Sequence, residues 1–129
     1  MRVTKRSLKA MALSAVVGAS LLALPSTGSA APCLNGQFCV YSETGFLGFT
    51  AITSNNFIPN FTTAGGAWSF VYNHDRSWWN KSTASNYMCL YDGAGYVGRT
   101  IRIAPQNSVG SNVTHQNKAA SLRFGPLCV

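Results

Sequence analysis

The chain has 129 residues, of which 47% are hydrophobic and only 10% charged, and its ten Lys and Arg against three Asp and Glu give a formal charge of +7. Four of those cations, Arg2, Lys5, Arg6 and Lys9, precede an apolar run over residues 10–24, Pro25 and a small-residue end, the pattern of a secretory signal peptide cut after Ala30. The remainder, 31–129, keeps six scattered cations against Glu43, Asp75 and Asp92, a net +3. That excludes the dense basic footprint of a nucleic-acid binder, and no apolar run reaches the roughly 20 residues of a membrane span.

The expected secreted portion is one small domain, of a size whose core alone gives marginal stability. Its four cysteines, Cys33, Cys39, Cys89 and Cys128, enter an oxidising compartment as an even set, which reads as two disulfides with three pairings. Cys33 with Cys39 and Cys89 with Cys128 is the favoured one. On the chain-entropy model these loops contribute about 2.5 and about 4 kcal/mol. Zinc is disfavoured, because there is no Cys-x-x-Cys pair and the thiols are oxidised.

In chain order, "CVYSETGFLG" at 39–48 returns fifty residues later as "CLYDGAGYVG" at 89–98. Cys39/Cys89, Tyr41/Tyr91, Gly45/Gly95, Gly48/Gly98 and Thr50/Thr100 are identical, against roughly one identity expected from residue usage. In each copy a strand ends at the tyrosine, a glycine takes positive φ in the turn, and an aromatic returns before a second glycine. Tyr41 with Phe46, and Tyr91 with Tyr96, can stack across that bend. The runs "GFTAIT", "GRTIRI", "AWSFVYN" (67–73) and "AASLRFG" (119–125) read as further strands, separated by Gly, Asn, Ser and Pro turns. No sustained helical stripe follows the leader, so the domain is all-β, in two halves that meet near residues 80–86.

Between the halves, "SWWNK" places Trp78 beside Trp79. Adjacent strand residues face opposite sides, so one ring is core and the other exposed or covered by a loop. An exposed ring would suit sugar stacking. Catalysis finds no support: Glu43 is the only glutamate, no carboxylate pair follows from spacing, and neither His74 nor His115 lies near a nucleophile motif. No catalytic residue is expected.

The spacing Tyr, four residues, Phe or Tyr, one residue, Gly, met at Tyr41, Phe46 and Gly48 and again at Tyr91, Tyr96 and Gly98, resembles the Greek-key signature of the βγ-crystallin fold. Together "CLNGQFCVYSETGFLG", "CLYDGAGYVG" and the terminal "AASLRFGPLC" resemble secreted bacterial members of peptidase inhibitor family I36, which includes a Streptomyces metalloproteinase inhibitor. The resemblance implies a disulfide-stapled βγ-crystallin-like sandwich of two Greek-key motifs, with repeat 1 at about 33–82 and repeat 2 at about 87–128. It further implies a secreted, monomeric inhibitor of an extracellular protease, of metalloproteases among others, that acts by inserting a loop. In the family's metalloproteinase inhibitor that loop lies between the repeats and is clamped by a disulfide. The matching linker, 80–87, makes Ser82, Thr83, Ala84, Ser85 and Asn86 the candidate inhibitory loop, although it contains no cysteine.

The same resemblance raises calcium, which the fold often binds through two Asn/Asp residues, two variable ones, then Ser/Thr and Ser. "NHDRSW" (73–78) and "QNKAAS" (116–121) are incomplete matches, and Glu43, Asn73, Asp75, Ser77 and Asp92 are the candidate ligands. Calcium wants six to eight oxygens, and the secreted portion holds only three carboxylates. Two alternatives to inhibition therefore stand: a calcium-binding structural module, and an antimicrobial or cell-wall-binding protein that uses an exposed tryptophan.

Overall fold

A computed structural model describes residues 30–128. The expected signal peptide, apart from Ala30, lies outside the described residues. The strands are β1 (Phe38–Glu43), β2 (Leu47–Thr53), β3 (Ser77–Asn80), β4 (Tyr87–Gly93), β5 (Val97–Ile103), β6 (Ser108–Val109) and β7 (Ser121–Gly125), with two short helices, α1 (Phe61–Ala64) and α2 (Ala67–Val71). They form two antiparallel sheets, ordered β2-β1-β3-β6 and β5-β4-β7.

Each sheet borrows backbone from the other half. β6 of the second half pairs with Trp78 and Trp79, while Ile58 of the first half bridges Leu122 through reciprocal bonds of 2.9 and 2.8 Å. The two Greek keys are thereby interlocked. Alternation along the strands sends Phe38, Val40, Trp78, Met88, Leu90 and Leu122 into one core between the sheets. It sends Cys39, Tyr41 and Trp79 to the outer face of one sheet, and Cys89 and Tyr91 to the outer face of the other.

Those outer faces are covered by the first and last described segments. The Cys33–Cys39 disulfide holds the N-terminal arm over the first sheet, and Cys89–Cys128 holds the C-terminal tail over the second. Tyr91 also donates its hydroxyl proton to the Cys128 carbonyl at 2.8 Å.

The repeated hairpin is folded over in both copies. Tyr41 meets Phe46 edge-on at 5.6 Å, and Tyr91 meets Tyr96 at 5.9 Å. Phe46 and Tyr96 themselves sit at φ 63° and 66°, a left-handed backbone that costs a bulky residue about 1–3 kcal/mol. A serine latch offsets that cost. Ser77 donates to the Glu43 carbonyl at 2.6 Å and accepts the Phe46 amide at 3.0 Å, and Ser121 does the same with Gly93 at 2.7 Å and Tyr96 at 3.2 Å. Gly48 completes the fold-over, because a Cβ there would lie 2.7 Å from the Glu43 Cγ. Ser77→Ala, which strands both partners, will cost about 2 kcal/mol in urea unfolding, and Ser121→Ala a similar amount. A loss below a few tenths would show that the latch is dispensable.

One expected strand is corrected. Residues 67–71 of "AWSFVYN" form α2, and the counterpart of β7 is β3, since Ser77 faces Tyr41 as Ser121 faces Tyr91. Trp68 and Val71, three apart, both turn into the core while Ser69 and Phe70 stay exposed, which is helical spacing. Gly65 and Gly66, both at positive φ, turn the chain into this helix.

Candidate functional site

The linker 82–86 leaves β3 at Asn80, a buried polar residue facing inward two positions after Trp78. Its amide nitrogen donates to the carbonyls of Asn86 and Ile103, each at 2.9 Å, and its side-chain oxygen accepts the Ser82 amide at 3.0 Å. One side chain therefore ties both ends of the linker to each other and to β5. Gln106 adds a bond from its side-chain nitrogen to the Ser82 carbonyl at 2.5 Å, and the Asn80 amide donates to Asn107 at 2.9 Å. Ser82 is buried and turns its hydroxyl onto Ala84, whereas Thr83, Ala84 and Ser85 are exposed.

A disulfide braces this loop at one remove. Gly36 and Gln37, inside the Cys33–Cys39 ring, bond the Lys81 carbonyl and amide at 2.7 and 2.8 Å. The result is a short exposed tip on two fixed ends, with Lys81 also lying 4.9 Å over the Trp79 ring. The sequence reading missed Asn80 and Gln106. The inward parity of Asn80 on a strand that buries Trp78 was the available signal.

The tryptophans divide as strand parity requires. Trp78 is fully buried, its Nε1 donating to Asp75 at 2.9 Å, and Trp79 is half-buried against Phe46 beneath Lys81. Neither stands free as a sugar platform.

The calcium candidates divide between the two hairpins, with Glu43, Asn73, Asp75 and Ser77 on the first and Asp92 on the second. Asn73 and Asn117 both have positive φ, and their amides donate to the carbonyls of Ala119 and Asp75 at 3.1 and 2.7 Å, so Asn73 corresponds to Asn117 and Asp75 to Ala119. The first motif therefore begins one residue earlier than expected, at 72–77 rather than 73–78. Arg76 then stands where the hydroxyl ligand belongs, opposite Ala120 in the second copy.

The donor set does not fit calcium. The Arg76 guanidinium holds the Glu43 carboxylate at 3.1 Å, and the Ser77 hydroxyl is consumed by the hairpin latch. Asp75 is fully buried and accepts from Trp78 and from the amides of Lys118 and Ala119 at 3.0 and 2.8 Å. Burial pushes its carboxyl up to about 6, while these N–H donors pull it back down. Asp92 is exposed on the other hairpin, and among the described residues no three His, Cys, Asp or Glu side chains form a metal-holding group.

Two interlocked Greek keys with aromatic-clasped, serine-latched hairpins define a βγ-crystallin-type domain. The structure is similar to a domain from work on the evolution of the eye lens βγ-crystallin fold, with TM-score 0.60 and 15% identity over 75% of this chain and 91% of that one. The N-terminal domain of Protein S matches with TM-score 0.53 and 17% identity over 69% and 94% of the two chains, and a βγ-crystallin from Ciona intestinalis with 0.55 and 11% over 70% and 100%. At these identities the likeness is one of fold.

The model of peptidase inhibitor family I36 matches residues 26–100, and the chain belongs to that family. Comparison with curated proteins gives no match. Two disulfides in a member of a peptidase inhibitor family are the marks of an extracellular protein.

Proposed function

We propose that this protein is exported by its leader and inhibits an extracellular protease by lodging the linker tip, Thr83, Ala84 and Ser85, in the active cleft. The observation that carries this reading is the Asn80 clamp. A loop whose ends are already fixed has little ordering left to lose on binding, and a pre-ordered contact segment binds more tightly for that reason. In the family's metalloproteinase inhibitor the corresponding segment is held by its own disulfide. Here Asn80, Gln106 and the Cys33–Cys39 ring supply the restraint. The action is steric occupation by a monomer, with no chemistry on the substrate.

The calcium-module alternative is weakened by Arg76, which stands at the motif position of the hydroxyl ligand and pairs with the Glu43 carboxylate. The test is a pair of variants. Gly-Gly-Gly in place of residues 83–85 will leave the melting temperature nearly unchanged and weaken inhibition at least tenfold. Asn80→Ala will weaken inhibition as well, and will cost about 3 kcal/mol because it strands buried backbone groups at Ser82, Asn86 and Ile103. Full inhibition by the tip variant would remove the linker from the contact.

A further inference from the structure

Phe49 on β2 and Phe70 on α2 are stacked at 4.9 Å with their planes 14° apart, yet they are 60% and 57% exposed. The fold does not demand this. Fifty residues on, the position of Phe49 in the repeat is held by Arg99, and the matching cleft beside Asp92 is lined by Arg99, His115 and Lys118 with no Phe, Tyr or Trp. An aromatic pair kept in water on one repeat alone marks a contact surface rather than a packing requirement.

The rings wall a cleft of about 360 Å³ whose remaining walls are polar. On one side the Arg76 guanidinium and the Glu43 carboxylate face each other at 3.1 Å, both about half exposed, so the cleft carries donors and acceptors without net charge. His74 donates from Nδ1 to the Tyr72 carbonyl at 2.8 Å, which leaves Nε2 as a further polar group in the wall, and Ser69 adds a hydroxyl. A charged ligand finds no uncompensated partner here, and a purely apolar one would strip water from the ion pair. An uncharged ring with one C–H face and a rim of hydroxyls satisfies both kinds of wall.

We infer that the Phe49–Phe70 cleft binds a neutral glycan, with a pyranose ring laid on the aromatic pair and its hydroxyls bonded to Arg76, Glu43 and His74. This site is separate from the linker tip and does not rest on protease inhibition.

The test titrates the purified, oxidised protein with soluble oligosaccharides of glucose, N-acetylglucosamine, xylose and mannose, followed by calorimetry and by chemical-shift mapping. The expected result is saturable binding of at least one of them, with shifts centred on Phe49, Phe70 and Arg76. Phe49→Ala and Phe70→Ala should each weaken it at least tenfold at an unchanged melting temperature, and Phe49→Tyr should retain it. No binding across the set overturns the inference, as does binding that ignores both alanine variants. Self-association abolished by Phe49→Ala, in the absence of glycan binding, would assign the face to a second copy and overturn it equally.

Discussion

Replacing Cys89 and Cys128 together by serine will destabilise the domain by about 4 kcal/mol, most of what a chain of this size has to lose. The bond closes a loop with a sequence separation of 39, and its loss restores that freedom to the unfolded chain. In the folded state the tail is also released, with the Tyr91 bond to the Cys128 carbonyl and the cover over Cys89. The matching change at Cys33 and Cys39, whose separation is 6, will cost only about 2.5 kcal/mol. Urea unfolding free energies, each extrapolated with the variant's own slope, measure both. A smaller loss at Cys89 and Cys128 than at Cys33 and Cys39 would contradict the loop-length argument.

Asp75→Ala carries the second large effect, about 3 kcal/mol, because it strands three donors in the core: the Trp78 indole and the amides of Lys118 and Ala119. Asp75 stitches the halves together, and the variant will loosen them with the sheets otherwise intact. Its titration also sets a pH dependence of definite sign. The folded carboxyl is raised to about 6, whereas in the unfolded chain it titrates near 3.9, so the folded state holds the proton more tightly. The stability from this group is full below about pH 4, falls as pH rises through about 6, and is flat above, by up to about 3 kcal/mol at about 1.4 kcal/mol per pKa unit. Urea midpoints should fall between pH 4 and pH 7 in the native protein and lose that slope in Asp75→Asn. A rise across this window would contradict the assignment.

What was legible in the sequence was local. The hairpins, their glycines and the Tyr41–Phe46 and Tyr91–Tyr96 contacts all lie within ten residues, and a repeat writes each of them twice. The exchange of Ile58 and β6 between the sheets was not legible, since single residues and two-residue strands carry no periodicity and their pairing spans the whole domain. α2 was misread because "AWSFVYN" is too short to separate a period of two from one of 3.6, and only the burial of Trp68 with Val71 decides. The sequence offers Ser77 as a hydroxyl ligand of the calcium motif; its bonds to Glu43 and Phe46 make it the hairpin latch instead, and that shifts the frame by one.

The linker shows the same limit. Repeat spacing sets the junction near residues 80–86 and the family resemblance makes 82–86 the candidate loop, but the absence of cysteine there hides the restraint, which comes from Asn80 inside the core and from a disulfide ring on a neighbouring segment. Residue identity at the loop says little about its rigidity. Rigidity comes from groups that arrive from Gln37, Ile103 and Gln106.

Whether this restrained tip blocks a protease is decided by titrating the oxidised protein against thermolysin-like, serine and cysteine proteases. Saturable inhibition of at least one of them is expected at or below micromolar concentration, relieved when residues 83–85 become glycine. No inhibition of any of the three classes at micromolar concentration would contradict it.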